Sequence, residues 1–462
     1  MHAGYNERVD TREESAVNRL GQAISFPTVS AADPADIPDP EVFQRFEAFL
    51  SSSFPLVHST LRCETIGDPG LLYTWPGEDP TADPLILTAH YDVVPADGAE
   101  RWSYPPFSGT VADKTIWGRG AIDDKASLMA ILEAAERLIE SGFSPSRTVM
   151  FAFGGDEEVT GQRGASRIAA ELAARGISAL CLIDEGTAVV ENTISLVDRP
   201  VALIGVAEKG YVDLRVAVRG SDGHAAMPSR RTIIGRLARA IRRMERKPFR
   251  VRMVPAVREF LKAVAEAAPM AYRPFLRRPR LFGPLLKHLL TGNPKTDALV
   301  RTTQAPTMLA GSAAPNVLPS VAEAVVNVRI LPGETIASVL ARIQRVVGDP
   351  SVTVDVLHPV GSGDPVDASP VDTDTYRSLC TVISKHFQNS VVAPYLVTGA
   401  TDSRHYRQVA KAIYRFVPLR MDPVLLDTVH GVDERIGIRD YTTMIEFYSD
   451  LMETLSHGVS RT

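Results

Sequence analysis

LILTAHYDVVP, residues 85–95, is an apolar run of strand character that ends in His90 and Asp92. A polar group at the end of a buried strand costs a few (~2–7) kcal/mol unless a partner satisfies it. Two further strand-like runs end in acids, at residues 147–158 (RTVMFAFGGDEE) and 179–187 (ALCLIDEGT). In open α/β sheets, ligands bind outside the carboxyl ends of the strands. These stretches therefore predict an α/β sheet with a polar site at one edge.

Helix-like segments alternate with these strands, which is the pattern of an α/β layer structure. Residues 127–142 (SLMAILEAAERLIESG) place apolar side chains every three or four positions and end at glycine. After residue 208 the pattern changes to a half-exposed strand, a basic helix, a strand at residues 324–333, another helix and a last strand at residues 351–358. We assign this region to a ferredoxin-like strand-helix-strand-strand-helix-strand unit.

These patterns predict one α/β domain interrupted by a smaller α+β domain. The α/β domain is expected to comprise residues 1–207 and 361–462, as a mixed sheet flanked by helices. The smaller domain is expected at residues 208–360, as a lid or dimerisation domain with a basic helical insertion at about 248–300. This division suits a chain of 462 residues, which is too long for one ordinary core.

Composition is that of a globular protein, with 45% apolar and 23% charged residues. The chain contains no uncharged apolar run of about 18 residues, so no membrane span is expected. Its polar N-terminus lacks the apolar core of a secretory signal. Three widely spaced cysteines favour reduced thiols, and together these features predict a cytoplasmic protein.

The net charge of −5 is unevenly distributed, because residues 230–301 contain 19 Lys and Arg but only 4 Asp and Glu. Nucleic-acid binding is one interpretation of this segment, but the interleaved aromatic residues of a single-strand groove are sparse. A solvated helical face explains the charge better. We therefore expect no nucleic-acid partner.

The candidate site residues lie in five short motifs. They are His90 and Asp92 in AHYDVVP, Asp123 in GRGAIDDK, Glu157 and Glu158 in GGDEEVTG, Asp184 and Glu185 in LIDEGT, and His430 in VHGVDERI. Each alone has a simpler explanation as a core histidine, a helix cap or a turn. Gathered at one sheet edge, however, the carboxylates would repel one another unless cations held them.

Mixed histidine and carboxylate ligands suit zinc, and also cobalt or manganese. Two metals about 3.5–4 Å apart need a bridging carboxylate, as in many hydrolytic sites. The chain has no HExxH motif, so a thermolysin-type single-zinc site is not supported.

The five motifs, in this order, resemble those of the co-catalytic zinc peptidase family of aminoacylase, carboxypeptidase S, glutamate carboxypeptidase and acetylornithine deacetylase. The resemblance runs from about Phe26 to the last helix. Within the family, AEKGYVDL, GNPKTDALVRTT, TDSR and IYRF are most similar to the branch of carboxypeptidase S and the N-fatty-acyl amino acid hydrolases.

The resemblance implies a role for each residue. His90, Asp123, Glu158, Glu185 and His430 are the expected ligands of two zinc ions, with Asp123 bridging and Asp184 as the alternative to Glu185. Asp92 is expected to accept the other N–H of His90, and Glu157 to act as general base.

The resemblance also assigns three residues to the smaller domain. His224 is expected to contact the oxyanion, often across a dimer interface, so a homodimer through the lid domain is expected. Asn316 and Arg329 are expected to contact substrate, and an arginine suits a free carboxylate because its fork binds it bidentately. His224 has a simpler alternative as a loop histidine, and Arg329 has one as a surface charge on an exposed strand face.

The sequence thus predicts a two-zinc amidohydrolase that cleaves N-acyl amino acids or short peptides next to a free carboxylate. A dipeptidase or carboxypeptidase acting on peptides is the nearest alternative. A non-catalytic binding protein on a peptidase scaffold is more remote, because every ligand position and the base position are filled. The basic segment at residues 230–301 is either a lid for an amphiphilic substrate or an ordinary helical hairpin that closes the core or a dimer interface.

Overall fold

The computed structural model describes residues 11–194 and 197–457 of the chain. The first ten residues, on which the expectation of no secretory signal partly depends, lie outside this range. Within it, no helix combines the length and apolar character needed to cross a bilayer.

The described residues form fourteen α-helices and nineteen β-strands. The helices are α1 Thr11–Ile24, α2 Glu41–Ser53, α3 Pro55–Thr60, α4 Lys125–Glu140, α5 Ala165–Ala174, α6 Ile233–Arg246, α7 Pro255–Val264, α8 Arg273–Arg277, α9 Gly283–Leu290, α10 Pro294–Val300, α11 Ile336–Val347, α12 Asp374–His386, α13 Pro423–Leu426 and α14 Ile438–Ser456. The strands are β1 Arg62–Thr65, β2 Gly70–Trp75, β3 Leu85–His90, β4 Thr110–Ala112, β5 Thr115–Trp117, β6 Val149–Gly154, β7 Cys181–Asp184, β8 Val189–Val190, β9 Val201–Glu208, β10 Gly210–Arg219, β11 Gly223–His224, β12 Thr303–Ala310, β13 Val317–Leu318, β14 Val321–Ile330, β15 Val352–Val356, β16 Val391–Val397, β17 Ile413–Arg415, β18 Arg420–Met421 and β19 Arg435–Gly437.

The main sheet is mixed and has ten strands, in the order β1-β2-β6-β3-β7-β17-β9-β8-β18, with β16 beside β9. Its central neighbours β6, β3, β7 and β17 run parallel. Every residue of β3 and β6 is buried, as expected for parallel strands covered by helices on both faces. Leu85 and Leu87 face a core that includes α4 and α14, whereas Ile86 faces the core that includes α5. The predicted α/β architecture is confirmed.

A second, antiparallel sheet has the order β12-β14-β10-β15, with α6 and α11 packed on one core with it. In chain order its elements are β10, α6, β12, β14, α11 and β15, which is the predicted ferredoxin-like pattern. The sequence had provided no segment for one of its four strands. That strand is β12, which includes Pro306 and a register shift between Pro306 and Met308.

The basic insertion forms helices α7 to α10, and its core packing is with the main sheet. Val257 and Leu261 of α7 are buried in the larger hydrophobic core, and Phe260 contacts the ring of Tyr395 on β16. The insertion thus lies beside the main domain, although it interrupts the smaller one in sequence. The domain limits drawn from the sequence stay a prediction.

Candidate metal centre

Three parallel strand ends supply most of the site. β3 ends at His90, β6 ends at Gly154 just before Asp156–Glu158, and β7 ends at Asp184. Because these neighbouring strands run parallel, their carboxyl ends lie at one edge of the sheet. The structure therefore brings the polar side chains of these three segments to one edge of the sheet.

Asp123 lies between two imidazoles, in a loop that also has a cis peptide bond between Asp123 and Asp124. Its Oδ1 is 2.9 Å from Nε2 of His90, and its Oδ2 is 3.0 Å from Nε2 of His430. Each carboxylate oxygen therefore faces a different histidine. This is the arrangement that a carboxylate needs to bridge two cations.

Glu158 completes the group on the His430 side, with its Oε1 3.1 Å from Nε2 of His430. One donor atom from each of His90, Asp123 and Glu158 lies within 4.8 Å of the others. His430 has a φ of 58°, in the left-handed region that few residues other than glycine adopt. The tight turn at this histidine brings its ring to the carboxylates from the far end of the chain.

Asp92 is fully buried and holds the two metal-site loops together. Its Oδ1 lies 3.2 Å from Nδ1 of His90 and accepts the backbone N–H of Glu157 at 3.0 Å. Its Oδ2 accepts the Ser30 hydroxyl at 2.6 Å and the backbone N–H of Glu158 at 3.1 Å. The sequence suggested the contact with His90 alone, yet Asp92 also anchors the loop that carries Glu157 and Glu158.

The two acids of LIDEGT have different surroundings. Asp184 is buried and accepts hydrogen bonds from the Thr88 hydroxyl at 2.6 Å and the Ser403 backbone N–H at 2.9 Å. Glu185 lines the same cavity as Asp123, Glu157, Glu158 and His430. Both oxygens of Asp184 are thus engaged in holding the loop, whereas Glu185 borders the site.

Burial strongly perturbs the carboxyl groups of the site. It raises the pKa of Glu157 and of Glu185 well above the ordinary range, and neighbouring carboxylates raise both further. Burial also raises the pKa of Glu158, although the hydrogen bond with His430 opposes this effect. Such a cluster can be fully ionised only beside positive charge.

The histidines show the opposite effect, because carboxylates surround them. Burial opposes protonation of His90, but its bonds to Asp123 and Asp92 outweigh this and hold its pKa well above its usual value. Hydrogen bonds with Asp123 and Glu158 raise the pKa of His430 to about 10. Protons on the imidazoles therefore provide the positive charge in the metal-free protein. The same nitrogen and oxygen donors fit zinc, cobalt or manganese.

A cavity of about 490 Å³ opens over these groups. Besides the acidic residues it is lined by two arginines, Arg329 and Arg404, and by Tyr211. The Arg329 guanidinium lies 4.6 Å from the centre of the Tyr211 ring, and Arg404 donates to the carbonyl of Thr160 at 2.7 Å. The cavity thus combines a carboxylate cluster with two fixed cations.

His224 and Asn316 lie elsewhere, on the small sheet formed by β11 and β13 and the turn beside it. Both are exposed, and the Ala225 backbone N–H donates to the Asn316 carbonyl at 3.0 Å. Neither is among the described residues that line the cavity. His224, Asn316 and Arg329 were the three residues assigned to the smaller domain. Within one chain, only Arg329 of these lines the cavity.

Two contributing residues were not singled out from the sequence. The buried Glu434 accepts the backbone N–H groups of Gly120, Ile122 and Asp123 at 2.8–3.1 Å and pairs with Arg119 at 2.7 Å. It thereby fixes the loop that presents Asp123. Arg404, in the cavity wall, is the second residue that the sequence did not single out. Glu434 and Arg404 lie in the motifs HGVDERI and TDSR, so those motifs were the only sequence signal for them.

Comparison with known families and proteins agrees with this geometry. The model of the peptidase family M20/M25/M40 matches residues 86–454. The chain is 36% identical over 453 residues to the human N-fatty-acyl-amino acid synthase/hydrolase PM20D1, which covers 97% of this chain and 88% of that protein. It is 35% identical over 445 residues to the probable carboxypeptidase S-like 2 of Dictyostelium discoideum, covering 94% and 84%.

Solved structures show the same fold. The M20 family metallo-carboxypeptidase Sso-CP2 from Sulfolobus solfataricus superposes with a TM-score of 0.69 at 18% identity, over 97% of this chain and 100% of that one. Human carnosine dipeptidase 1 superposes with a TM-score of 0.67 at 15% identity, over 96% of each chain.

Proposed function

The chain belongs to peptidase family M20/M25/M40, and we propose that it hydrolyses the amide bond of N-acyl amino acids next to a free carboxylate. Membership makes it a metal-dependent hydrolase with carboxypeptidase and N-acyl amino acid hydrolase relatives. The observation that carries the proposal is Asp123 between His90 and His430, with one oxygen toward each.

We assign two zinc ions to this cluster, with cobalt or manganese as substitutes. His90 and Glu185 would hold one ion, Glu158 and His430 the other, and Asp123 would bridge them. Asp184 is the weaker candidate for a ligand, because Thr88 and Ser403 occupy its oxygens. Bound zinc supplies Lewis acidity, which lowers the pKa of a water and polarises the amide carbonyl.

Glu157 is the proposed general base, because it lines the cavity beside Glu158 and the bridging Asp123. Its carboxylate would take the proton of the attacking water and then deliver it to the nitrogen of the leaving amine. The backbone N–H of Glu157 donates to Asp92, so the position of the base is tied to that of His90. Burial, which raises its pKa, suits a group that must hold a proton during the reaction.

Arg329 and Arg404 are the proposed anchor for the substrate carboxylate. An anion entering a cavity rich in carboxylates is repelled unless fixed cations attract it. Both guanidinium groups are held by other contacts, Arg329 on the Tyr211 ring and Arg404 on the Thr160 carbonyl. Because they are already positioned, little side-chain entropy is lost when the carboxylate binds.

Peptides are the second candidate substrate, and the carboxypeptidase S relatives favour it. A dipeptide also ends in a free carboxylate, so the same arginines would serve it. The length of the acyl group distinguishes the two candidate functions. An N-fatty-acyl amino acid hydrolase should prefer long acyl groups, whereas a peptidase should not. Hydrolysis of an acetyl to oleoyl series tests this, and equal kcat/KM along it would contradict a preference for lipid substrates.

A homodimer through the smaller domain and a cytoplasmic location complete the proposal. β12 is an edge strand with exposed Met308 and Leu309, and such an edge is available for pairing with a second copy. His224 and Asn316 lie outside this chain's own cavity, which is consistent with service in a partner's site. The three cysteines are free, which supports a reducing compartment.

The carboxylate anchor is tested with an N-acyl amino acid and its carboxamide as paired substrates. Arg329→Ala and Arg404→Ala should each lower kcat/KM for the carboxylate about 10- to 100-fold, since a hydrogen bond to a charged group is worth about 1.5–3 kcal/mol. The kcat/KM for the carboxamide should be nearly unchanged by both substitutions. Arg342→Ala is the matched control, because Arg342 also stacks on an aromatic ring, Phe249, and does not line the cavity. Equal losses on both substrates would refute the anchor.

A further inference from the structure

Residues 267–296, the basic-apolar segment, form a distinct surface within the insertion. The segment contains six Lys and Arg and no Asp or Glu. It includes α8 and α9, which are each fixed to the main core by one buried side chain, Leu276 and Leu286. The segment is therefore a structured part of the surface.

Its outer face is apolar. Met270 is 80% exposed, Leu281 67%, Leu289 58% and Leu285 45%. Leu285 and Leu289 lie four residues apart on α9 and so share one face of that helix, and Leu281 is exposed in the turn just before it. Contiguous exposed apolar side chains on a globular protein mark an interaction surface.

Two exposed arginines adjoin these leucines in the sequence. Arg278 and Arg280 are exposed, and their side chains form no hydrogen bond or ion pair within residues 11–194 and 197–457. Arg277 pairs with Glu266, which lies just outside the segment. Two exposed guanidinium groups thus stand beside leucines, with no acid of the segment to neutralise them.

We propose that the basic-apolar segment docks on an anionic lipid bilayer. Basic helices with a leucine face bind in the interface of such bilayers, with the apolar face in the acyl region and the cations at the headgroups. A symmetric contact with a second copy would instead set these arginines against one another. An RNA or DNA partner would leave the leucines without an apolar environment. The proposal does not depend on the reaction proposed above.

The test is flotation of the full-length protein with vesicles of phosphatidylcholine, alone or with about 30% phosphatidylglycerol. The protein should float with the anionic vesicles and remain unbound with the neutral ones. Raising the salt from about 0.1 M to 0.5 M should reduce binding, because salt screens the headgroup attraction. Failure to bind anionic vesicles at low salt overturns the proposal.

Two variants localise the contact. Leu281→Ser/Leu285→Ser/Leu289→Ser and, separately, Arg278→Glu/Arg280→Glu should each weaken binding to anionic vesicles at least about tenfold. Circular dichroism melts and kcat/KM on a short-chain soluble substrate should be unchanged, because all five side chains are exposed. If either variant binds as the wild type does, the segment is not the docking surface.

Two control variants make similar apolar-to-serine and arginine-to-glutamate changes outside the basic-apolar segment. Val111→Ser/Val424→Ser removes exposed apolar groups, and Arg239→Glu/Arg242→Glu reverses two exposed charges on α6. Both should bind vesicles as the wild type does, and an equal loss in them would overturn the localisation. Sedimentation of the wild type and the leucine variant tests whether the segment is instead an interface between two copies of the chain. If the leucine variant converts a dimer to a monomer, the patch is an interface between copies and the proposal fails.

Discussion

Replacing Asp92 with asparagine tests how the two loops of the site are joined. Asparagine keeps the shape of the side chain but replaces one acceptor oxygen with an NH₂ group. If that group faces Ser30, the hydroxyl can rotate to accept from it. The backbone N–H of Glu158, which donates to the same Asp92 oxygen, then has no acceptor. The other oxygen can still serve His90 and Glu157.

The expected loss of stability follows from these contacts. One buried N–H without an acceptor costs about 1–3 kcal/mol. The remaining bonds lose their charge assistance, which roughly doubles the strength of a hydrogen bond. Together we expect Asp92→Asn to lower the free energy of unfolding by about 2–4 kcal/mol. The metal affinity should fall about 10- to 100-fold, because Asp92 orients His90.

Ser30→Ala is the graded control, since it removes one of the four donors to Asp92 and should cost about 1 kcal/mol. Thermal melting of metal-free protein measures stability, at about 1 °C per kcal/mol for a chain of this size. Competition with a chelator measures the metal affinity. If Asp92→Asn melts no earlier than Ser30→Ala and binds zinc as the wild type does, Asp92 does not join the loops.

Three further outcomes follow from the same site. Glu185→Ala should lower the bound zinc from two equivalents toward one without changing the melting temperature of metal-free protein. Asp184→Ala should instead lower the melting temperature of metal-free protein more than it lowers the zinc content. The opposite pattern would make Asp184 the ligand. Zinc binding to metal-free protein near pH 7 should release protons, because hydrogen bonds with Asp123 and Glu158 raise the pKa of His430 to about 10 and a ligand imidazole must give up its proton. Calorimetry in buffers of different ionisation enthalpy measures that release, and zinc affinity should rise with pH up to that pKa; a heat independent of buffer would contradict it.

Much of the site was predictable because its signal is local. An apolar strand followed at once by acids or histidine is unusual, and β3, β6 and β7 each show it. Once the strands were taken as parallel, their ends had to meet at one edge. His430 has no strand before it to mark its position, and its role as a metal ligand came from the family resemblance.

The parts that sequence missed depend on contacts between distant segments. Nothing local separates Asp184 from Glu185, because the difference arises from Thr88 and Ser403 reaching Asp184. Glu434 is one of several acids in its loop, and its function depends on the N–H groups of residues 120–123. Arg404 lies in a short 3-10 helix without any periodic pattern to mark a cavity wall.

β12 was missed for a different reason. Proline lacks an N–H and normally argues against a strand interior. As an edge strand, however, β12 pairs on one side only, with β14, and its register shifts just after Pro306. The sequence does not reveal that a strand will lie at an edge, where a proline is tolerated, so residues 303–310 show no clear strand pattern.

We propose that Glu157 moves the proton in metal-assisted cleavage of an amide beside a free carboxylate. The most direct test of this proposal is the hydrolysis of an N-acyl amino acid by zinc-loaded Glu157→Gln under single-turnover conditions. The rate should fall about 10²- to 10⁴-fold while the zinc content and substrate affinity stay near those of the wild type. A Glu157→Gln rate within about twofold of the wild type, at equal zinc content, would contradict the claim.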